Sequence, residues 1–126
     1  MPSEQYRTAD CLADILDNIE RIEGHISGLD RNDLGSDGLR RDAVERCLER
    51  ICEAGVRLGE HAVTLMPDQP WQAIRGRGNR LRHAYDRIDF SVIWTVITDR
   101  LPELKADTAA ALEKLHQPEN PSERGN

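Results

Sequence analysis

The sequence predicts an all-α fold, an up-and-down bundle of four or five helices, on three observations. Of the 126 residues, 38% are apolar and 32% charged, a balance that suits helices each burying a single stripe better than a sheet covered on both faces. The apolar residues recur at steps of three and four rather than two. Aromatic residues are only 4%, and β-branched residues do not cluster as they would in strands.

Residues 1–7 read as a frayed tail. Thr8, followed by Ala9 and Asp10, reads as a helix start with an acid near the positive end of the helix dipole. Leu12, Ile15, Ile19, Ile22 and Ile26 then form one stripe over about five turns. Residues 28–38 read as a polar loop, with the apolar side chain of Leu34 tucked underneath.

A long second helix is expected over residues 39–65. There Leu39, Val44, Cys47, Leu48, Ile51, Ala54, Val56, Leu58, Ala62 and Leu65 keep a helical period without an internal proline. Gly55 and Gly59, flanked by Ala54 and Ala62, make a small-residue strip open either to intramolecular packing or to a dimer contact. Pro67 and Pro70 end this helix, since proline cannot continue the hydrogen-bond ladder.

A shorter third helix spans residues 71–83 and is weakened by Gly76 and Gly78, each costing about 1 kcal/mol relative to alanine. Trp71 and Trp94 read as core anchors. After a turn at 85–88, Asp89 caps a helix that begins at Phe90 and turns Ile93, Trp94 and Ile97 inward. Pro102 opens a new helix or marks a kink, and Leu104, Ala111, Leu112 and Leu115 supply its stripe over 103–115. The expected organisation is one domain over 1–116 and a solvated tail over 117–126.

No apolar run approaches the ~18 residues of a membrane span, and the first ten residues have neither the basic nor the apolar part of a signal peptide. A cytoplasmic protein without a membrane role is expected. Cys11, Cys47 and Cys52 fall within helical apolar patterns and read as buried, reduced thiols. The histidines are scattered, so neither a zinc site nor any other metal or cofactor is expected; His25, His61 and His116 are assigned no role.

Charge is unevenly distributed. Arg75, Arg77, Arg80, Arg82 and Arg87 face a single acid, Asp86, which puts net +4 on this stretch of a chain whose total is −6. A basic island in an acidic chain invites a polyanion. On a helix, Asn79 and His83 are four residues apart and share a face, with Arg80 close by. A near-neutral histidine can take the proton of a ribose 2′-hydroxyl, and an arginine fork can stabilise the charge gathering on a phosphate under attack. No metal is needed for that chemistry. Tyr85 offers a stacking surface or a phenol open to modification. The competing reading is a histidine that caps carbonyls on a helix with a solvated arginine face.

At these residues the sequence resembles the HEPN superfamily, specifically the HepT-like toxins of HEPN/MNT toxin–antitoxin pairs. The resemblance runs through DAVERCLERICEAG at 42–55, PWQAIRG at 70–76, NRLRHAY at 79–85, IDFSVIW at 88–94 and LPEL at 101–104. It implies a helical HEPN bundle that forms a homodimer, bringing two copies of the Arg/His segment together in a cleft. It also implies a metal-independent endoribonuclease restrained by an MNT-type nucleotidyltransferase antitoxin, which in some systems attaches AMP to the motif tyrosine. The implied partners are therefore RNA, a second copy and the antitoxin, with no DNA.

Carried onto this chain, the motif implies His83, Arg77 and Asn79 as catalytic residues, and Arg75, Arg80, Arg82 and Arg87 as RNA-binding residues. Tyr85 is the implied modification site. One departure stands out: Gly78 occupies the position that normally holds the motif arginine, and Arg77 lies one residue earlier. Either a neighbouring arginine (Arg77, Arg80 or Arg82) supplies the guanidinium, or the site binds RNA without cleaving it.

Overall fold

The computed structural model describes residues 4–74 and 90–116. These residues are helical almost throughout. In chain order the elements are α1 (Glu4–Ile26), α2 (Arg31–Ser36), α3 (Gly38–Leu58), α4 (Glu60–Leu65) and α5 (Phe90–Thr95). A π-helical turn (Val96–Arg100) then leads into α6 (Leu101–His116), and residues 71–74 form a further helical turn after α4. The all-α bundle expected from the periodicity is the observed architecture.

The α1 stripe is its centre. Leu12, Ile15, Ile19 and Ile22 are buried almost completely and belong to one core with Val44, Cys47, Ile51, Ala54 and Leu58 of α3 and Leu101, Leu104 and Ala111 at and beyond the π turn. Polar contacts along the helices set the directions. Arg57, late in α3, donates to Asp14, in the middle of α1, at 2.8 Å, whereas Arg40, early in α3, donates to the His25 carbonyl, late in α1, at 2.8 Å. Lys105, early in α6, pairs with Glu23, late in α1, at 2.9 Å. Both α3 and α6 therefore run antiparallel to α1.

Several expectations need correction. Helix α1 starts at Glu4, not at Thr8. Thr8 is buried one turn before Leu12, so packing of the stripe extends the helix backwards and overrides the cap signal. The expected loop at 28–38 contains α2, opened by a reciprocal cap: Asp33 N–H donates to Asp30 Oδ1 at 2.8 Å, and Asp30 N–H donates to Asp33 Oδ2 at 3.2 Å. Its Leu34 is fully buried, as expected. Asp37 then caps α3 through the Arg40 N–H at 3.1 Å.

The expected single helix at 39–65 is two helices. Gly59, at φ 58° and ψ −131°, separates α3 from α4 in a conformation that favours glycine. Leu39 does not join the core; it is 86% exposed at the first turn of α3, and Val56 is also exposed. Finally, Pro102 does not open a separate helix. It has no N–H for the Thr98 carbonyl, and the turn before it widens so that Leu101 N–H bonds Val96 O, five residues back. The helix thus passes through the proline position instead of ending there. Ile93 and Ile97 are buried as expected, while Trp94 is half-buried.

Cys11, Cys47 and Cys52 are buried and form no disulfide. Burial pushes the Cys11 and Cys47 thiols above the usual range, against the opposing effect of Arg57 on Cys11 and of Arg50 on Cys47. They should therefore stay largely protonated and resist iodoacetamide at pH 8 in the folded protein, reacting only on unfolding; rapid native alkylation would contradict this packing. In denaturant titrations Leu34→Ala should cost about 2–4 kcal/mol. Leu39→Ala should change stability by less than about 0.5 kcal/mol.

Candidate active site

The residues read as the site, Arg75, Arg77, Asn79, Arg80, Arg82, His83, Tyr85 and Arg87, lie in the segment 75–89, outside the described residues. Asp89, the expected cap, lies there too. The described structure fixes where this segment leaves the bundle and where it rejoins it.

At the leaving end, Trp71 is buried and closes over α3. Its Cζ3 lies 3.1 Å from where a Cβ on Gly55 would stand, and Ile74 is 3.8 Å from the same point. A side chain at position 55 would press on the indole, which would have to give by a few tenths of an ångström. The Gly55 part of the small-residue strip is thus used for close packing within the chain. The indole Nε1–H donates to the Met66 carbonyl at 2.9 Å, so this buried donor is satisfied.

At the rejoining end, Phe90 packs on Gly35 of α2, with its Cε1 3.2 Å from a notional Cβ there. The Arg41 guanidinium lies 5.0 Å from the Phe90 ring centroid, within cation–π range. Arg31 donates to the Ser91 hydroxyl. Phe90 and Trp94 also stack obliquely, with centroids 6.4 Å apart.

The leaving end therefore rests on α3 near Gly55, and the rejoining end on α2 at Gly35 and Arg31 and on Arg41 of α3. Gly55 and Arg41 are roughly 21 Å apart along α3 at about 1.5 Å per residue. Periodicity does not reveal these contacts on α3. Their only signals in the chain are a tryptophan and a phenylalanine where aromatics are few.

A groove elsewhere, between α1 and α3, is lined by Asp14, Asp17, Asn18, Arg21, Arg50, Glu53 and Arg57. Two ion pairs occupy much of it, Arg57–Asp14 at 2.8 Å and Arg21–Asp17 at 3.0 Å, and the bond to Asp14 raises the Arg57 pKa further. The groove has no histidine, tyrosine or other acid–base group near neutrality. Among the described residues, no group of three or more His, Cys, Asp or Glu side chains is placed to hold a metal ion. Likewise, no described helix is long and apolar enough to cross a membrane.

The all-α bundle, with a chain that leaves it at Trp71 and rejoins it at Phe90, is the architecture to be compared with known families. The chain belongs to the HepT-like ribonuclease family, whose pattern it matches over residues 15–111. A protein of Thermococcus cleftensis named "Probable ribonuclease HepT" is 33% identical over 96 residues, covering 76% of this chain and 87% of that protein. A "Putative RNase" of Methanocaldococcus jannaschii is 29% identical over 96 residues, covering 76% and 88%. Another "Putative RNase", from Caldanaerobacter subterraneus, is 29% identical over 103 residues, covering 82% and 92%. No solved structure matches the chain significantly.

The packing of Trp71 yields a direct expectation. Trp71→Ala should lower stability by about 3–5 kcal/mol through the cavity it leaves. Trp71→Phe should cost less, about 1–3 kcal/mol, through the lost bond to Met66 O. Near-wild-type stability of Trp71→Phe in calorimetry would show that the indole N–H plays no part.

Proposed function

We propose that this protein is a metal-independent endoribonuclease, the toxin of a HEPN/MNT toxin–antitoxin pair. The observation that carries the reading is the Asn79/His83/Tyr85 register inside the basic stretch, in a chain of the HepT-like ribonuclease family. His83 takes the proton of a ribose 2′-hydroxyl as that oxygen attacks the adjacent phosphorus. A protonated acid then returns a proton to the departing 5′-oxygen. Arg77 stabilises the charge on the phosphoryl oxygens, and Asn79 orients the histidine or the phosphate. Arg75, Arg80, Arg82 and Arg87 bind the RNA backbone.

In the same proposal, the domain of residues 1–116 acts as a cytoplasmic homodimer with the RNA in the cleft between copies. An MNT-type nucleotidyltransferase antitoxin restrains it. AMP placed on Tyr85 would add bulk and negative charge to the basic cleft and repel the RNA backbone. Intact-mass analysis after co-expression with the neighbouring nucleotidyltransferase gene should show an AMP adduct that Tyr85→Phe abolishes.

Gly78 favours a second reading, a dimeric HEPN subunit that binds RNA or a nucleotide but cleaves poorly. Loss of one positioned donor commonly costs 100- to 1000-fold in rate, about 3–4 kcal/mol. In EDTA, wild-type protein should cleave RNA and His83→Ala should not; equal cleavage by both would refute the ribonuclease reading. Cleavage that appears only in Gly78→Arg would select the binding subunit. RNA retention should weaken steeply with salt as counterion release predicts, and a salt-insensitive interaction would exclude both readings.

A further inference from the structure

The groove between α1 and α3 holds two groups that the described fold leaves unmatched. Asn18 lines it and is only 6% exposed. Its Nδ2–H donates to the Asp14 carbonyl at 2.8 Å, which fixes the orientation of the amide, since only the NH2 end can donate to a carbonyl. The other end, Oδ1, is buried and accepts no hydrogen bond among the described residues. An unmet buried acceptor is costly.

The second group is Arg50. The other charges of the groove are answered: Asp14 by Arg57 at 2.8 Å, Asp17 by Arg21 at 3.0 Å and Glu53 by Arg46 at 3.9 Å. Arg50, half-buried, has no hydrogen bond or ion pair among the described residues. The antiparallel register sets it beside Asn18. Arg57 meets Asp14 and Arg40 meets the His25 carbonyl, and interpolation between those two contacts puts Arg50 level with Asn18 across the groove. The Cys47 thiol, on the core side, feels the charges of Arg50, Arg21 and Asp17 together, which gathers them around the same level.

An occupant that satisfies both groups must accept from a guanidinium and donate to an amide oxygen. The groove encloses about 320 Å³, far more than the ~30 Å³ that one water takes. A cation would be repelled by Arg50, and a fully ionised oxyanion such as sulfate would offer Asn18 only another acceptor. Inorganic phosphate does both with one group. At neutral pH its ionised oxygens match the arginine fork, and it still carries a P–O–H.

We propose that this groove is a binding site for inorganic phosphate, held by the Arg50 guanidinium and by a P–O–H hydrogen bond to Asn18 Oδ1. The site stands apart from the basic segment. Gly55 and Arg41, where the ends of that segment meet α3, lie roughly 140–180° around the helix from Arg50 at about 100° per residue. The inference therefore does not depend on the ribonuclease reading.

The test uses the full chain in chloride buffer, followed by phosphorus NMR and by melting curves. Inorganic phosphate should bind saturably with a Kd of about 1 mM, and about 10 mM of it should raise Tm by about 4–7 °C. Sulfate at the same concentration and ionic strength, which controls for general salt stabilisation, should raise Tm by less than about 1 °C. Arg50→Gln should weaken phosphate binding by about tenfold or more. Asn18→Leu should do the same, yet leave the ligand-free protein at least as stable, because it removes the unmet acceptor.

Absence of saturable binding, which would leave only water at Asn18, overturns the inference. Sulfate that matches phosphate overturns it too, as does phosphate affinity unchanged in Arg50→Gln; both are the pattern expected if the basic stretch at 75–87 collects the anion instead. Should Asn18→Leu fail to fold, Arg50→Gln and the sulfate comparison still decide.

Discussion

The structure depends on the seam between α1 and α3. Four α1 side chains, Leu12, Ile15, Ile19 and Ile22, are withdrawn almost completely from water, each contributing on the order of 2 kcal/mol by burial. Every other described element is placed relative to that seam. Helix α6 lies antiparallel against α1, as the Lys105–Glu23 pair shows, while α2 and the turn at 71–74 lie against α3, the turn at Gly55. The exposed ion pairs add little to stability. The Arg57–Asp14 pair matters for register, because Arg57 meets the middle of α1 while Arg40 bonds the His25 carbonyl in its last turn, which defines one antiparallel alignment.

That long helix also frames the basic segment. Gly55 admits the indole of Trp71 at one end, and Arg41 covers Phe90 near the other. The arrangement separates two tasks. The apolar bundle supplies fixed attachment points, and the proposed chemistry belongs to a stretch in which five arginines and His83 oppose the charge of their own chain. Family membership fits this division, because a ribonuclease needs a positive surface for phosphate and a titrating group near neutrality, while the scaffold is free to be acidic.

The helical period made the α1 stripe and the buried cysteines legible in the chain, because burial of one helical face leaves a direct trace in residue order, whereas Leu34 was legible as an apolar side chain in a polar stretch. The α2 helix was less visible, since its cap is Asp-x-x-Asp and its apolar content is essentially one leucine. Leu39 kept the period yet stands in water, because a periodic position at a helix end is buried only if a neighbour reaches that far. Gly59 and Pro102 were both readable as interruptions, but their outcomes differ. Positive φ at Gly59 breaks the axis, whereas a single wide turn absorbs Pro102.

By itself, then, the sequence determined the fold class, the main buried stripe and the family, since these come from periodicity, residue type and residue order. The tertiary structure decided which glycine is a packing surface and which is a break. It also decided that Trp71 is satisfied by Met66, and that Asp107 and Thr108 hold a connection some forty residues earlier in the chain. Those contacts join residues far apart in sequence. No local pattern encodes them, because a hydrogen bond between Gln69 and Asp107 exists only once α6 has been laid across the core.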